Sequence, residues 1–325
     1  MMDNFLIVAQ QVAILFVLMG AGALMRKAGF FRENAIDGLV NILILVVTPC
    51  LIVDVFQRPF DPSMLRGLGL AFAIAILAHL VMVALAYLSV RHRDGNVRRP
   101  LMLAAVFSNA GFMGLPLEQA VLGDVGVFYG VVYVVVFNLV MWSWGYHLMK
   151  SEECKVKNKT MGGHKTFHSS FFNFHSVLNP GTVGLALGAP LFFCSAKLPA
   201  VIGVPVHHMA NLNTPLAMIV IGYGLMGARL GPVVRTGAVY VATLFRLIVC
   251  PLLVIAALYP FRHALDRNMM LALTVSASAP VAAMVSMFAA KFNRDVDASV
   301  AIVSGTTLLS ILTMPIVIAL AMAVL

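Results

Sequence analysis

Long stretches with almost no charge follow one another along this chain, and that feature limits what it can become. Crossing the hydrocarbon core of a bilayer takes about 20 apolar residues in an α-helix. A membrane barrel would instead alternate apolar and polar residues along each strand, and these runs are continuous. Charged residues make up 11% of the 325 positions and apolar ones 61%, against about 25% charged in a soluble domain. A single core of this size cannot hide so much apolar surface from water. The chain reads as an all-α polytopic membrane protein with ten transmembrane helices. They lie at roughly 4–25, 36–57, 64–90, 100–122, 125–149, 177–197, 205–228, 233–259, 268–290 and 297–324. The N-terminal MMDN carries no positive leader, and its first apolar run is followed by Arg26 and Lys27. That run is therefore expected to be an uncleaved span.

The net charge is +9, yet the basic residues form no single face that would suit nucleic acid. Their placement sets topology instead. Sixteen Lys and Arg fall in odd-numbered loops. Five fall in even-numbered ones (Arg58, Arg66, Lys197, Arg262, Arg267), and Arg246 lies within a span. The positive-inside rule then puts odd loops in the cytoplasm and both termini outside, in a multi-pass inner (cell) membrane protein. The one sizeable polar stretch, "KSEECKVKNKTMGGHKTFHSS", is too short for a domain. It divides the chain into a first five-helix unit (1–150), a cytoplasmic linker (151–175) and a second five-helix unit (176–325). The cysteines (Cys50, Cys154, Cys194, Cys250) are scattered without metal-ligand spacing. They are expected to be small buried hydrophobes, and no metal site or cofactor is expected.

Related features recur between the halves. Thr48-Pro49 and Thr214-Pro215 are 166 residues apart, Pro116 and Pro280 are 164 apart, and His79 and Arg246 are 167 apart. Near-equal offsets indicate duplication. Five spans per unit is an odd number, so the second unit enters the membrane inverted. Inverted repeats with broken helices at corresponding places are characteristic of secondary transporters.

The breaks themselves lie in "SNAGFMGLPLE" (span 4) and "SASAPVAAMVSM" (span 9). A broken helix is tolerated at membrane depth only inside protein or beside a cavity. There its freed N–H and C=O groups can bind a ligand, and the half-helix N-terminus favours an anion. Asn109 can donate and accept at the break. Ala110 offers backbone, Gly111 and Gly114 permit unwinding, and Pro116 removes a donor. Ser276, Ser278 and Pro280 are the candidates in span 9, with Thr48 and Thr214 beside the other two prolines. Ionisable groups within spans are functional candidates by default: His79, Arg246, and Glu118 just beyond the break. His79 could titrate for proton coupling or bond a neighbouring backbone. Arg246 needs an acidic partner, backbone carbonyls or an anionic substrate. Glu118 either carries a coupling proton or sits at a solvated end. Asp54 reads as interfacial.

Other classes fit poorly. "IVSGTT" around Ser304 has the wrong order for an intramembrane serine protease, "EECK" lies in the linker, and nothing resembles a channel filter. The chain is not expected to be an enzyme.

The motifs resemble the auxin efflux carrier family, which includes the plant PIN-formed carriers and bacterial permeases for malate or malonate. That family is related to the bile acid/sodium symporters. "SNAGFMGLPLE" is similar to the family's Asn-x-Gly-x-x-Gly-x-Pro pattern. "NLNTPLAMIVIGYGL", "NPGTVGLALG" and "SAPVAAMVSMFAAKFNRDVDASVAIVSGTTLLSILTMPIVIAL" extend the likeness over nearly the whole chain. The resemblance implies an elevator-type carrier, with spans 1, 2, 6 and 7 as scaffold and spans 3–5 and 8–10 as the moving unit. Spans 4 and 9 would cross at Pro116 and Pro280. The short linker favours the bacterial, malate/malonate-like branch. The expected function is secondary active transport of a small organic anion, a mono- or dicarboxylate. Alternatives are an auxin-like aromatic or bile-acid-like anion, coupled to sodium, or a sensor built on the same fold. H+ and Na+ both stay open as coupling ion. Expected partners are the anion and membrane lipid, with no nucleic acid. Gly181, Gly184 and Gly188 have the spacing of close helix contacts, which would serve packing within one chain or the seam of a homodimer.

Overall fold

The fold was read from a computed structural model, which describes residues 2–30, 33–150, 180–227 and 237–325. The expected linker, Cys154, and the loop cations Arg32, Arg229 and Arg235 lie outside the described residues. Within them the chain is helical, with one isolated antiparallel bridge, Ser108 to Val281. In order the helices are α1 (Met2–Lys27), α2 (Glu33–Ile42), α3 (Thr48–Phe56), α4 (Pro62–Ser89), α5 (Gly95–Val106), α6 (Leu115–Leu122), α7 (Asp124–Val140) and α8 (Tyr146–Lys150). The second half continues with α9 (Pro180–Phe193), α10 (Ala200–Asn211), α11 (Asn213–Gly227), α12 (Gly237–Leu244), α13 (Cys250–Leu258), α14 (Arg267–Ser278), α15 (Met284–Lys291) and α16 (Val296–Val324). Seven helical stretches among the described residues are long and apolar enough to cross a membrane. Of the other three expected spans, the sixth is the 14-residue α9, and the fourth and ninth are each cut in two.

Proline explains much of the local irregularity. A ring inside a helix removes one N–H and collides with the carbonyl four residues back. Pro49, Pro116 and Pro251 each lie two residues past the end of a wider π-turn: Leu43–Val47, Ala110–Gly114 and Phe245–Val249. Such a turn carries an extra residue and relieves the collision without ending the helix. Outside the membrane, helix starts are capped by polar side chains. Asp61, Asp94, Asp266 and Asp295 accept from Ser63, Asn96, Met269 and Ala298 respectively.

Packing uses small residues for close approach, as expected where lipid supplies no hydrophobic drive between helices. On α1 and α11, Gly22 and Gly222 face each other's backbones. A Cβ on Gly222 would stand 1.8 Å from the Met19 carbonyl oxygen. On α9, Gly184 and Gly188 lie against Pro49, Ile52 and Phe56 of α3, so part of the glycine stripe serves packing within the chain. Leu24, Leu77, Leu88, Val201 and Leu312 remain exposed, as lipid-facing side chains should be. Cys250 is buried, whereas Cys194 is exposed, which corrects the expectation that the cysteines are uniformly buried.

Candidate functional site

The two breaks meet. After α5 the backbone leaves the helix through Phe107 and Ser108, and after α14 it does so through Ala279 to Val281. The freed segments pair with each other as a minimal antiparallel ladder. Asn109 N–H donates to the Pro280 carbonyl at 2.6 Å, and Ala282 N–H donates to the Phe107 carbonyl at 3.0 Å. Buried backbone groups must find partners, and here each broken span satisfies the other. Thr306 of α16 completes the junction, its hydroxyl oxygen accepting from Val281 N–H at 3.2 Å. On the other side of the break, the Asn109 carbonyl accepts from Met113 and Gly114 and starts the π-turn. Pro116 and Pro280 are both buried.

Most of the candidates from spans 4 and 9 gather around this ladder. Asn109 is 6% exposed. Ala110 and Gly114 are buried, and Gly114 faces Ser276, whose Cα would lie 3.5 Å from an added Cβ. Gly111 has open space where a side chain would be. Ser276 donates to Glu118 Oε1 at 2.6 Å, joining spans 4 and 9 a second time. Glu118 is fully buried, its Oε2 has no hydrogen-bond partner among the described residues, and Gly130 of α7 lies against it. The solvated helix end weighed for Glu118 is thus corrected: α7 and α14 cover it. Ser278 is buried, but its hydroxyl is spent on the Val275 carbonyl of its own helix. The Thr48 hydroxyl is used similarly, on Leu43, away from the ladder.

Arg246 is completely buried and has a different set of partners from the ion pair weighed for it. Its guanidinium donates to two carbonyls, Val106 through Nη1 at 2.6 Å and Ala277 through Nη2. These carbonyls belong to the last turn of α5 and of α14, the half-helices that end at the breaks. The cation therefore sits against two negative dipole ends at once. Cys250, one turn along, donates to the next orphan carbonyl, Ala105, at 3.4 Å. His79 is also buried behind the crossing. Its Nδ1 bonds Ala75 of its own helix at 2.8 Å, and its ring lies 4.9 Å from that of Tyr133. That assigns Nδ1 as the protonated nitrogen and Nε2 as the free acceptor.

A small polar cavity of about 90 Å³ opens beyond the break, on the side of the even-numbered loops. Leu115 and Gln119 of the broken span bound it, with Asp124 at the start of α7. Leu51, Asp54 and Val55 of α3, His207, Ala210 and Asn211 of α10, and Asn213 and Thr214 of α11 bound it from the facing side. Thr214 joins the candidate region here. Asp54 accepts from His207 Nδ1 at 2.9 Å, and Asn211 Nδ2 bonds His207 Nε2 at 3.1 Å. Asn213 is buried, with Oδ1 unpartnered among the described residues. Met113, Leu117, Val275 and Ala279 of the two broken spans share one apolar cluster with Met19, Val47 and Met218. Sequence reasoning missed Gly130, Thr306, His207 and Asn213. Thr214, a binding candidate in the sequence, and Asp54, an acidic residue near a span end, are the residues singled out from the sequence that line the cavity.

Comparison with known proteins agrees with the resemblance noted from the motifs. A family model described as "Membrane transport protein" matches residues 7–318. A protein of Methanothermobacter thermautotrophicus, described as an uncharacterized transporter, is 25% identical over 313 residues, covering 94% of this chain and 96% of the relative. Paired broken helices within a run of apolar helices are the architecture such a carrier needs, and the chain belongs to the membrane transport protein family, the auxin efflux carrier-like transporters.

Proposed function

We propose that this protein is a secondary carrier of a small organic anion, a mono- or dicarboxylate of the malate or malonate kind. The observation that supports it best is the ladder between residues 107–109 and 280–282. It is unwound backbone within a bundle of apolar helices, and the half-helices after the breaks start just beyond it, one at the π-turn Ala110–Gly114 that leads into α6 and the other at α15. The starts of these half-helices offer partial positive charge to a carboxylate, and the first N–H groups of the π-turn are its donors in this reading. Asn109, Ala110, Gly111 and Gly114 form the binding surface on one strand, and Ser276 lies behind it. Gly111 supplies the open face.

The working architecture is ten spans in two inverted repeats, with both termini outside. α5–α6 and α14–α15 are the broken spans, and α9 is the short one. α4–α8 and α12–α16 travel as one unit past α1–α3 and α9–α11. The apolar contact of Met113, Leu117, Val275 and Ala279 is the surface that slides. The cavity lined by Asp54, His207 and Thr214 is the outer approach to the site. Glu118 is the candidate proton carrier. Among the described residues its carboxyl has one oxygen bonded to Ser276, the other without a partner, and no cation bonded to it.

The test is uptake of radiolabelled malonate and malate into proteoliposomes, with and without an imposed proton gradient, beside Asn109→Ala. Uptake that follows the gradient and is lost in the variant supports the reading. Wild-type rate and affinity in Asn109→Ala would remove the site assignment. Silence toward both substrates from folded protein would move the substrate to an aromatic or larger anion.

A further inference from the structure

Carriers with broken helices commonly take up a coupling cation at unwound carbonyls and half-helix C-terminal ends, where the dipoles point their negative poles. Sodium is the ion such carbonyls coordinate, so it is the ion to test here. Six carbonyls around this crossing do not fit that role, because they are already engaged. Val106 and Ala277, the last-turn carbonyls of the two half-helices, both accept from Arg246. Ala105 accepts from Cys250, Phe107 from Ala282 and Pro280 from Asn109. The Asn109 carbonyl serves two N–H groups of the π-turn.

We propose that Arg246 is a built-in cation that occupies the place of a coupling sodium ion, so that the crossing assembles without sodium. The geometry has the features such a role requires. One planar guanidinium reaches both half-helix ends at once, which a lysine ammonium, as a point charge, reproduces only in part. Its partners are 140 and 31 residues away in sequence, so it ties together elements that local structure does not connect. It is fully buried, and no carboxylate accepts from it among the described residues. Arg246 itself comes from the π-turn Phe245–Val249, whose extra residue lies just before Pro251. A fixed positive charge here repels a second cation while holding the two ends together, as a bound ion would. Arg246 is thus a positioning residue for the anion site on the far side of the ladder, and no substrate contact is assigned to it. This inference rests on the ladder and stands whichever anion is carried.

The test uses the full-length purified protein and needs no substrate. Thermal unfolding of wild type, Arg246→Lys and Arg246→Ser is compared in sodium chloride and in choline chloride at equal ionic strength. The wild-type midpoint is expected to be the same in both salts, and so is that of Arg246→Lys. Arg246→Ser should unfold earlier in choline and recover by a few degrees in sodium, the response expected when an ion binds only the folded state. Sodium-specific stabilisation of the wild type would overturn the proposal, and so would a folded Arg246→Ser that ignores sodium. If Arg246→Ser yields no folded protein, wild type and Arg246→Lys still decide, since a sodium-specific shift in either refutes it. Malonate uptake by wild type in the two salts is the transport arm, with equal rates expected. Absence of uptake in both would count against the substrate assignment alone and leave the unfolding result to judge Arg246.

Discussion

Gly130→Ala tests the core of the site with one methyl group. Gly130 is mid-helix in α7, and a Cβ built there would stand 1.6 Å from Glu118 Oε2 and 2.4 Å from its Cδ. No real contact is so short, so the carboxyl must move. It is fully buried, and among the described residues its hydrogen bond runs to Ser276 at 2.6 Å, so moving it breaks the tie between spans 4 and 9. Forcing a methyl into a packed interior costs about 1–3 kcal/mol. Leaving a buried hydrogen-bonding group unpaired costs about 1–3 kcal/mol. The helix preference of Ala over Gly returns about 1 kcal/mol. The net expectation is a loss of about 1–5 kcal/mol. The assay is unfolding of purified protein in detergent, run as a double-mutant cycle with Glu118→Ala. Once the carboxyl is gone the methyl has space, so Gly130→Ala should be near neutral in that background. Equal stability of Gly130→Ala and wild type would refute the reasoning. So would an undiminished loss when Glu118 is also removed.

Two further outcomes follow from hydrogen bonds. Thr306→Val keeps shape but leaves the Val281 N–H at the crossing without its acceptor. A loss of about 1–3 kcal/mol in unfolding free energy is expected, together with faster amide exchange at residue 281. Asp61 caps α4, and hydrogen bonds from Ser63, side chain first and then backbone, hold its carboxyl below the usual carboxylate value. A depressed folded value makes the cap fully effective above the unfolded value of about 4. It is lost as pH falls through the lower folded value. Hydrogen exchange in the first turn of α4 should therefore rise on acidification in wild type and be pH-insensitive at this step in Asp61→Asn.

Several parts of the site could be read locally. A rupture in span 4 followed from two glycines and a proline in an apolar run, although the backbone unwinds at 107–109 and the glycines lie in the π-turn Ala110–Gly114; the break before Pro280 followed from a proline that cannot continue a helix. The intramembrane charges His79, Glu118 and Arg246 could be picked out because charge is rare in such runs. Their partners could not be read. Arg246 had acid, backbone and substrate as open choices, and its backbone partners became visible only when α5 and α14 were placed beside the π-turn that carries it. Ser278 had the right residue type at the right place, yet its hydroxyl turns back onto Val275. Thr306 and Gly130 carry no sequence signal, since each matters only through the atom opposite it.

The sequence alone determined the solvent and the places of rupture. Run length and charge scarcity require a bilayer, and glycine and proline act on their own backbone within a few residues. The tertiary structure alone decided what the ruptures are for. The ladder joins residue 109 to residue 280, and the Ser276–Glu118 bond spans 158 positions. Such contacts depend on how helices far apart in the chain come to lie side by side. No local preference for helix, turn or break encodes which distant carbonyl a buried guanidinium will find.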